Sequence, residues 1–202
     1  MANQLLYREE GGNLYVRALG KMTANISYSL RGKIFARLKE SPPVAEIYMD
    51  LSQCDYMDST FMGIIIGINK NLKEKTGRGI TIVCPTDECN SLFAGLNIIK
   101  LLNIDTQNMD FPASMETVTD NGKPKAEVLL HAHEDLMEIS EENSLKFSLL
   151  KEYLEKKLVD EQQAAAMAAA EVQIPGLNDD DNYENKDDNK NNPAGEESEE
   201  QE

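Results

Sequence analysis

The sequence predicts an α/β domain built on a mixed β-sheet covered by α-helices, with a long C-terminal helical extension and a disordered acidic tail behind it. Three observations carry this reading. Short β-type runs alternate with single helix-type stretches over roughly the first 120 residues. A stretch without Gly or Pro, 125–173, follows them. From Ile174 onward the composition changes to Asp, Asn, Glu and Lys. The 202 residues suffice for one ordinary domain plus an appendage. The expected divisions are 1–122, 123–173 and 174–202.

Two short β-type runs, 5–8 and 14–18, come first, and Gly11, Gly12 and Asn13 between them suit a hairpin turn. Thr23 or Asn25 is placed to cap a helix whose apolar residues Ile26, Leu30, Ile34 and Leu38 recur every four positions. Ser41-Pro42-Pro43 stops it. Residues 46–51 read as a strand buried mid-sheet, and 52–57 as a loop. Asp58-Ser59-Thr60 then opens a helix to about Lys75, ended by Gly77 and Gly79. Gly63 and Gly67 inside that helix are expected to permit close packing on the sheet. Another strand at 79–84 is closed by Pro85, and Thr86 or Asp87 can cap a short helix through Leu92 and Phe93. A run at 98–104 leads into the weakly patterned 105–121. Strands joined by single helices imply parallel pairing, and the initial hairpin adds an antiparallel portion.

The extension starts near Pro124, which suits a first helical turn. As one helix, 125–173 would be roughly 70 Å long. Leu136, Ile139, Asn143, Phe147, Leu150, Leu154 and Leu158 form one stripe. Packing on the protein's own sheet or helices accounts for it, as does self-association or the docking of a partner through this helix. Glu141-Glu142-Asn143 could also hold a turn between two shorter helices. The Ala-rich 162–170 is expected to continue the helix into solvent. The tail carries eleven acidic residues against Lys186 and Lys190, which is −9 of the chain's −16. It is too polar to offset its ordering entropy.

No Lys/Arg cluster suits a nucleic-acid backbone, so no nucleic-acid partner is expected. The longest apolar run, 61–68, is too short to cross a bilayer, and no secretory leader is read at the N-terminus. A cytoplasmic protein is expected. Cys54, Cys84 and Cys89 lack metal-ligand spacing and read as reduced thiols. His131 and His133, two apart on a helix, face different sides and read as surface histidines rather than a metal pair. Asp50, Asp55 and Asp58 read as loop caps. No catalytic constellation or phosphate-binding glycine loop stands out, so neither an enzyme nor a cofactor is expected.

The informative stretch runs from the end of the central strand, Asp50-Leu51, to Asp58-Ser59-Thr60-Phe61-Met62-Gly63. It sets a hydroxyl at a helix N-terminus beside a strand end, the edge where open α/β sheets meet their ligands. Asp58 or Ser59 as an inert N-cap explains the residues. Phosphorylation of Ser59 explains them equally: about two negative charges there suit the helix dipole but oppose a partner packed flush against the corner.

The pattern D-L, a short loop, then D-S-[ST]-x-[apolar]-G resembles the STAS domain, in particular the bacterial anti-sigma factor antagonists, over about residues 4–115. The resemblance implies a non-enzymatic binding module. Its partner would be an anti-sigma factor that is also a serine kinase, bound while Ser59 is unphosphorylated, so that a sigma factor is released. The kinase would phosphorylate Ser59, and a PP2C-type phosphatase would reverse this. Asp58 is the flanking acid of the motif and Thr60 a weaker acceptor. Asp58, Ser59, Thr60, Phe61 and Met62 would form the partner-binding corner. The family usually has Gly where this chain has Phe61, which either turns into the core or alters the partner surface. A scaffold within a larger signalling or transport-associated assembly is the alternative. The extension lies outside the family pattern.

Overall fold

The computed structural model describes residues 3–119 and 124–171. The expected disordered tail lies outside the described residues. Strands β1 (Gln4–Glu10) and β2 (Asn13–Met22) form an antiparallel hairpin in which Glu10 pairs with Asn13. Gly11 and Gly12 both have positive φ, 60° and 81°, the backbone a two-residue turn of matching twist requires. α1 (Ala24–Arg37) leads to β3 (Ile47–Met57), and α2 (Ser59–Thr76) to β4 (Thr81–Val83). α3 (Asp87–Gly95) and a 3-10 turn at Ile99–Leu101 lead to β5 (Asn103–Asp105), and β6 (Glu116–Thr117) follows.

The sheet order is β5-β4-β3-β2-β1-β6. β2 through β5 pair in parallel, and β1 pairs antiparallel with β2 and β6. This is the mixed sheet the sequence predicts. Three successive crossovers step in one direction along it, and their common right hand puts α1, α2 and α3 on one face. There Leu14, Val16, Met49 and Leu51 of the sheet share a core with Leu30, Ile34, Phe61, Ile65, Ile68 and Phe93. The other face carries Tyr15 stacked on Tyr48, with Phe111 edge-on to Tyr15 and under the Arg17 guanidinium.

Two expectations for the domain change. Residues 52–57 are not a loop: β3 continues to Met57, because Gln53, Cys54, Tyr56 and Met57 pair with Leu19, Gly20, Lys21 and Met22 across two register shifts. The weakly patterned 105–121 contains β6, held by Val118 N–H donating to the Leu5 carbonyl.

The extension is a folded-back pair, α4 (Ala126–Met137) and α5 (Glu141–Glu171). The turn falls at 138–140, just before Glu141-Glu142-Asn143, where the sequence allows one. Pro124 precedes the helix, and Lys125 is the residue at its cap position. The stripe residues Leu136, Asn143, Phe147 and Leu154 are buried, with Ile139 and Leu150 packed beside the core. The stripe is therefore spent on intramolecular packing. Buried Asn143 explains how the turn is fixed: its Nδ2 donates to the carbonyls of Leu136 and Leu96, joining α5 to α4 and to the end of α3.

Candidate functional site

Asp58 ends the β3–α2 connection in extended conformation (φ −83°, ψ 169°) and caps α2, its Oδ1 accepting from Phe61 N–H at 2.9 Å. Its Oδ2 accepts from Ala24 N–H at 2.8 Å. Ala24 is the first residue of α1, whose own cap residue Thr23 supplies no side-chain bond. One carboxylate thus satisfies the starts of two helices, each with free backbone N–H groups and a positive dipole end. Asp58 is the frame of the corner.

Ser59, half-buried, opens α2 and does not cap it. Its Oγ lies 2.9 Å from Nε2 of His133 on α4. The other ring nitrogen, Nδ1, is 2.8 Å from the Leu129 carbonyl, which only accepts. The proton therefore sits on Nδ1, leaving Nε2 to accept from the Ser59 hydroxyl. His133 is 3% exposed, which corrects the expectation of a surface histidine. The ring of Phe147 stands edge-on to it, 5.1 Å between centroids. Burial pushes the imidazole below its ordinary range, opposed by the Leu129 bond and by the Asp58 charge. The neutral ring required by the hydrogen bonds is the one burial favours.

What lets α4 approach so closely is Gly63. A Cβ there would overlap the backbone carbonyl of Ala132, the neighbour of His133. Gly67, one turn on, has the Asp135 carboxylate against it. The two glycines therefore serve helix–helix packing, not the helix–sheet packing expected from sequence. Lys70 completes the seam with ion pairs to Asp135 at 2.8 Å and Glu138 at 2.7 Å.

The remaining residues of the expected partner corner point elsewhere. Phe61 is 0% exposed and Met62 4%, both in the core cluster, and Thr60 is buried as well. Phe61 turns inward, the first of the two roles its departure from the family pattern allowed. In this conformation Asp58 and Ser59 are the only members of the five that are not buried. Asp50 lies within β3, not in a loop, where it pairs with Arg17 Nε at 2.7 Å and accepts from Ser52 N–H. Among the described residues no cluster of His, Cys, Asp and Glu could hold a metal, and no helix is long and apolar enough to cross a membrane.

The Ser59–His133 contact is what sequence reasoning missed. Two signals pointed to it. Ser59, Gly63, Gly67 and Lys70 follow helical spacing on one side of α2, opposite Phe61, Ile65, Ile68 and Leu72. His133 stands in line with Ala126, Leu130 and Leu136, on the apolar face of its helix.

A model of the STAS domain family matches residues 4–108, about half of the chain. The chain belongs to the STAS domain family. Three solved structures similar to it illustrate the relation. The Thermotoga maritima protein TM1081 is 19% identical, covering 50% of this chain and 85% of its own, with a TM-score of 0.44. The unphosphorylated form of the anti-sigma factor antagonist SpoIIAA is 16% identical, covering 53% and 90%, with a TM-score of 0.43. The phosphorylated form of the Bacillus cell fate determinant SpoIIAA is 18% identical, covering 52% and 93%, with a TM-score of 0.43. The STAS match ends before α4, so the hairpin that meets Ser59 lies outside it.

Proposed function

We propose that this STAS domain is a phosphorylation-switched binding module of the anti-sigma factor antagonist type, with Ser59 as phosphoacceptor and the α4–α5 hairpin as its cover. The observation that carries the reading is the half-buried Ser59 hydroxyl at the start of α2, engaged by His133. Unphosphorylated, the module would bind an anti-sigma factor serine kinase and so release a sigma factor. A PP2C-type phosphatase would restore the hydroxyl. Thr60 is the weaker acceptor because it is buried.

The cover adds a step. A phosphoryl group on Ser59 brings about −1.5 to −2 charges and three acceptor oxygens. It would face a ring nitrogen that itself accepts, with the Asp58 carboxylate nearby. Gly63 against Ala132 holds α4 in close contact with α2. Kinase access and phosphate retention would therefore both require the hairpin to move away from α2. The test is phosphoryl transfer by the cognate kinase, read by mass spectrometry at Ser59, with pull-down of Ser59→Ala and Ser59→Asp. Persistent binding by Ser59→Ala and weakened binding by Ser59→Asp are expected, and His133→Ala should be phosphorylated faster than wild type. Equal binding by both Ser59 variants would overturn the switch. An unchanged rate in His133→Ala would overturn the cover.

A further inference from the structure

The inward stripe of α5 is filled, but its outward side is not. Leu145, Leu149 and Tyr153, spaced by four, are 73%, 79% and 62% exposed. Solvent-facing helix positions normally carry polar residues, and three large apolar groups in one row mark a contact surface.

The charges beside this row behave differently from those beside the inward stripe. Lys151 pairs with Glu134 and Glu155, and Lys157 with Glu161. Lys146, Glu152 and Lys156 form no ion pair among the described residues, and Glu142 makes only a 3.3 Å bond from Asn97. Their positions are symmetric about Leu149. Three residues away on either side stand Lys146 and Glu152, opposite in sign. Four away stand Leu145 and Tyr153, both apolar. Seven away stand Glu142 and Lys156, again opposite in sign.

We infer that this face binds a second copy of the chain, α5 against α5 antiparallel, with the two-fold axis at Leu149. Antiparallel helices crossing at Leu149 place Lys146 beside the partner's Glu152 and Glu142 beside the partner's Lys156, each pair occurring twice. Leu145 meets the partner's Tyr153, and the two Leu149 side chains meet on the axis. A two-fold interface requires self-complementarity of this kind. A parallel pair would set Lys146 on Lys146 and Glu152 on Glu152. It would also bring together the two acidic C-terminal segments, −9 each from Ile174 onward. In the antiparallel pair the two α5 ends at Glu171 lie roughly 65 Å apart, at about 1.5 Å per residue, far beyond the screening length.

The inference stands independently of the Ser59 switch. It is tested by light-scattering mass of the full chain in a dilution series up to about 0.5 mM. Wild type should pass from 22.6 kDa towards twice that mass. Lys146→Glu sets two like-charge pairs in place of two attractive ones and should weaken the dimer about tenfold. Lys146→Glu combined with Glu152→Lys should restore it, and Leu149→Asp should abolish it. All these positions are exposed, so the helical circular dichroism should stay unchanged in every variant. A wild-type mass of one chain throughout would overturn the inference. So would a dimer indifferent to Lys146→Glu, or a double variant no stronger than the single.

Discussion

Helix α2 is packed on two sides by opposite means. Towards the sheet it presents Phe61, Ile64, Ile65, Ile68 and Leu72, all buried in one core. Towards α4 it presents Ser59, Gly63, Gly67 and Lys70, which meet a histidine, a backbone carbonyl and two carboxylates. The first side removes a large apolar area from water, at about 25 cal/mol per Å². The second relies on close fit and polar pairing, and beyond it Ala132, Leu136 and Phe147 of the hairpin reach the same core. The STAS core should therefore survive changes that release the hairpin, and a cover held this way can be lifted without unfolding what it covers.

The largest effect separates the sides by stability. Phe61→Ala empties a fully buried site and should cost about 3–5 kcal/mol in denaturant unfolding, with sheet and hairpin lost together. Gly63→Ala should divide them. Inside an exposed helix this change stabilises by about 0.5–1 kcal/mol, and Gly32→Ala on α1, where a Cβ meets nothing, should do so. At Gly63 the same methyl overlaps Ala132, so hydrogen exchange of α4 and α5 should rise sharply while the β2–β3 amides remain protected. Equal loss of protection in both regions would show the hairpin to be part of one cooperative unit.

A smaller effect is expected at the hairpin turn. Asn143→Ala leaves the buried Leu96 and Leu136 carbonyls without its donor, which costs about 1–3 kcal/mol. The loss should appear in exchange of the hairpin before it appears in the sheet.

How far the sequence foretold this molecule differs between the same two sides. The sheet, its hairpin and the apolar face of α2 follow from periodicity and turn residues, which are local signals. β3 overran its expected end because residues 52–57 mix polar and apolar side chains and pair only through the shifted register with β2. The Asp58–Ser59 corner was legible as a motif, but its second frame was not: the bond from Ala24 comes from 34 residues away. His133 was misplaced for the same reason. Its burial depends on α4 lying against a row of small residues in α2, a long-range complementarity of two helices. The fold of the extension turns on Asn143, a polar member of the apolar stripe whose side chain makes the bonds that close the turn.

The pH dependence of docking is the finest probe of the contrast, because only the α4 side of α2 carries a buried ionisable ring. His133 is held below its ordinary value of 6.5 by burial, against the pull of the Leu129 bond and the Asp58 charge. When the hairpin lifts, the ring regains water and an ordinary affinity for protons, so the open state binds more protons than the closed one. Docking is then fully favoured above about pH 6.5 and weakens as the pH falls from there towards the lowered value of the docked ring. The slope cannot exceed about 1.4 kcal/mol per pH unit for one group. Hairpin exchange measured between pH 7.5 and 5.5, corrected for intrinsic rates, should rise at the acid end in wild type. His133→Gln, which keeps a hydrogen-bonding side chain but cannot titrate, should flatten the profile. If the variant keeps the acid rise, the ring over Ser59 is not the source of the pH dependence.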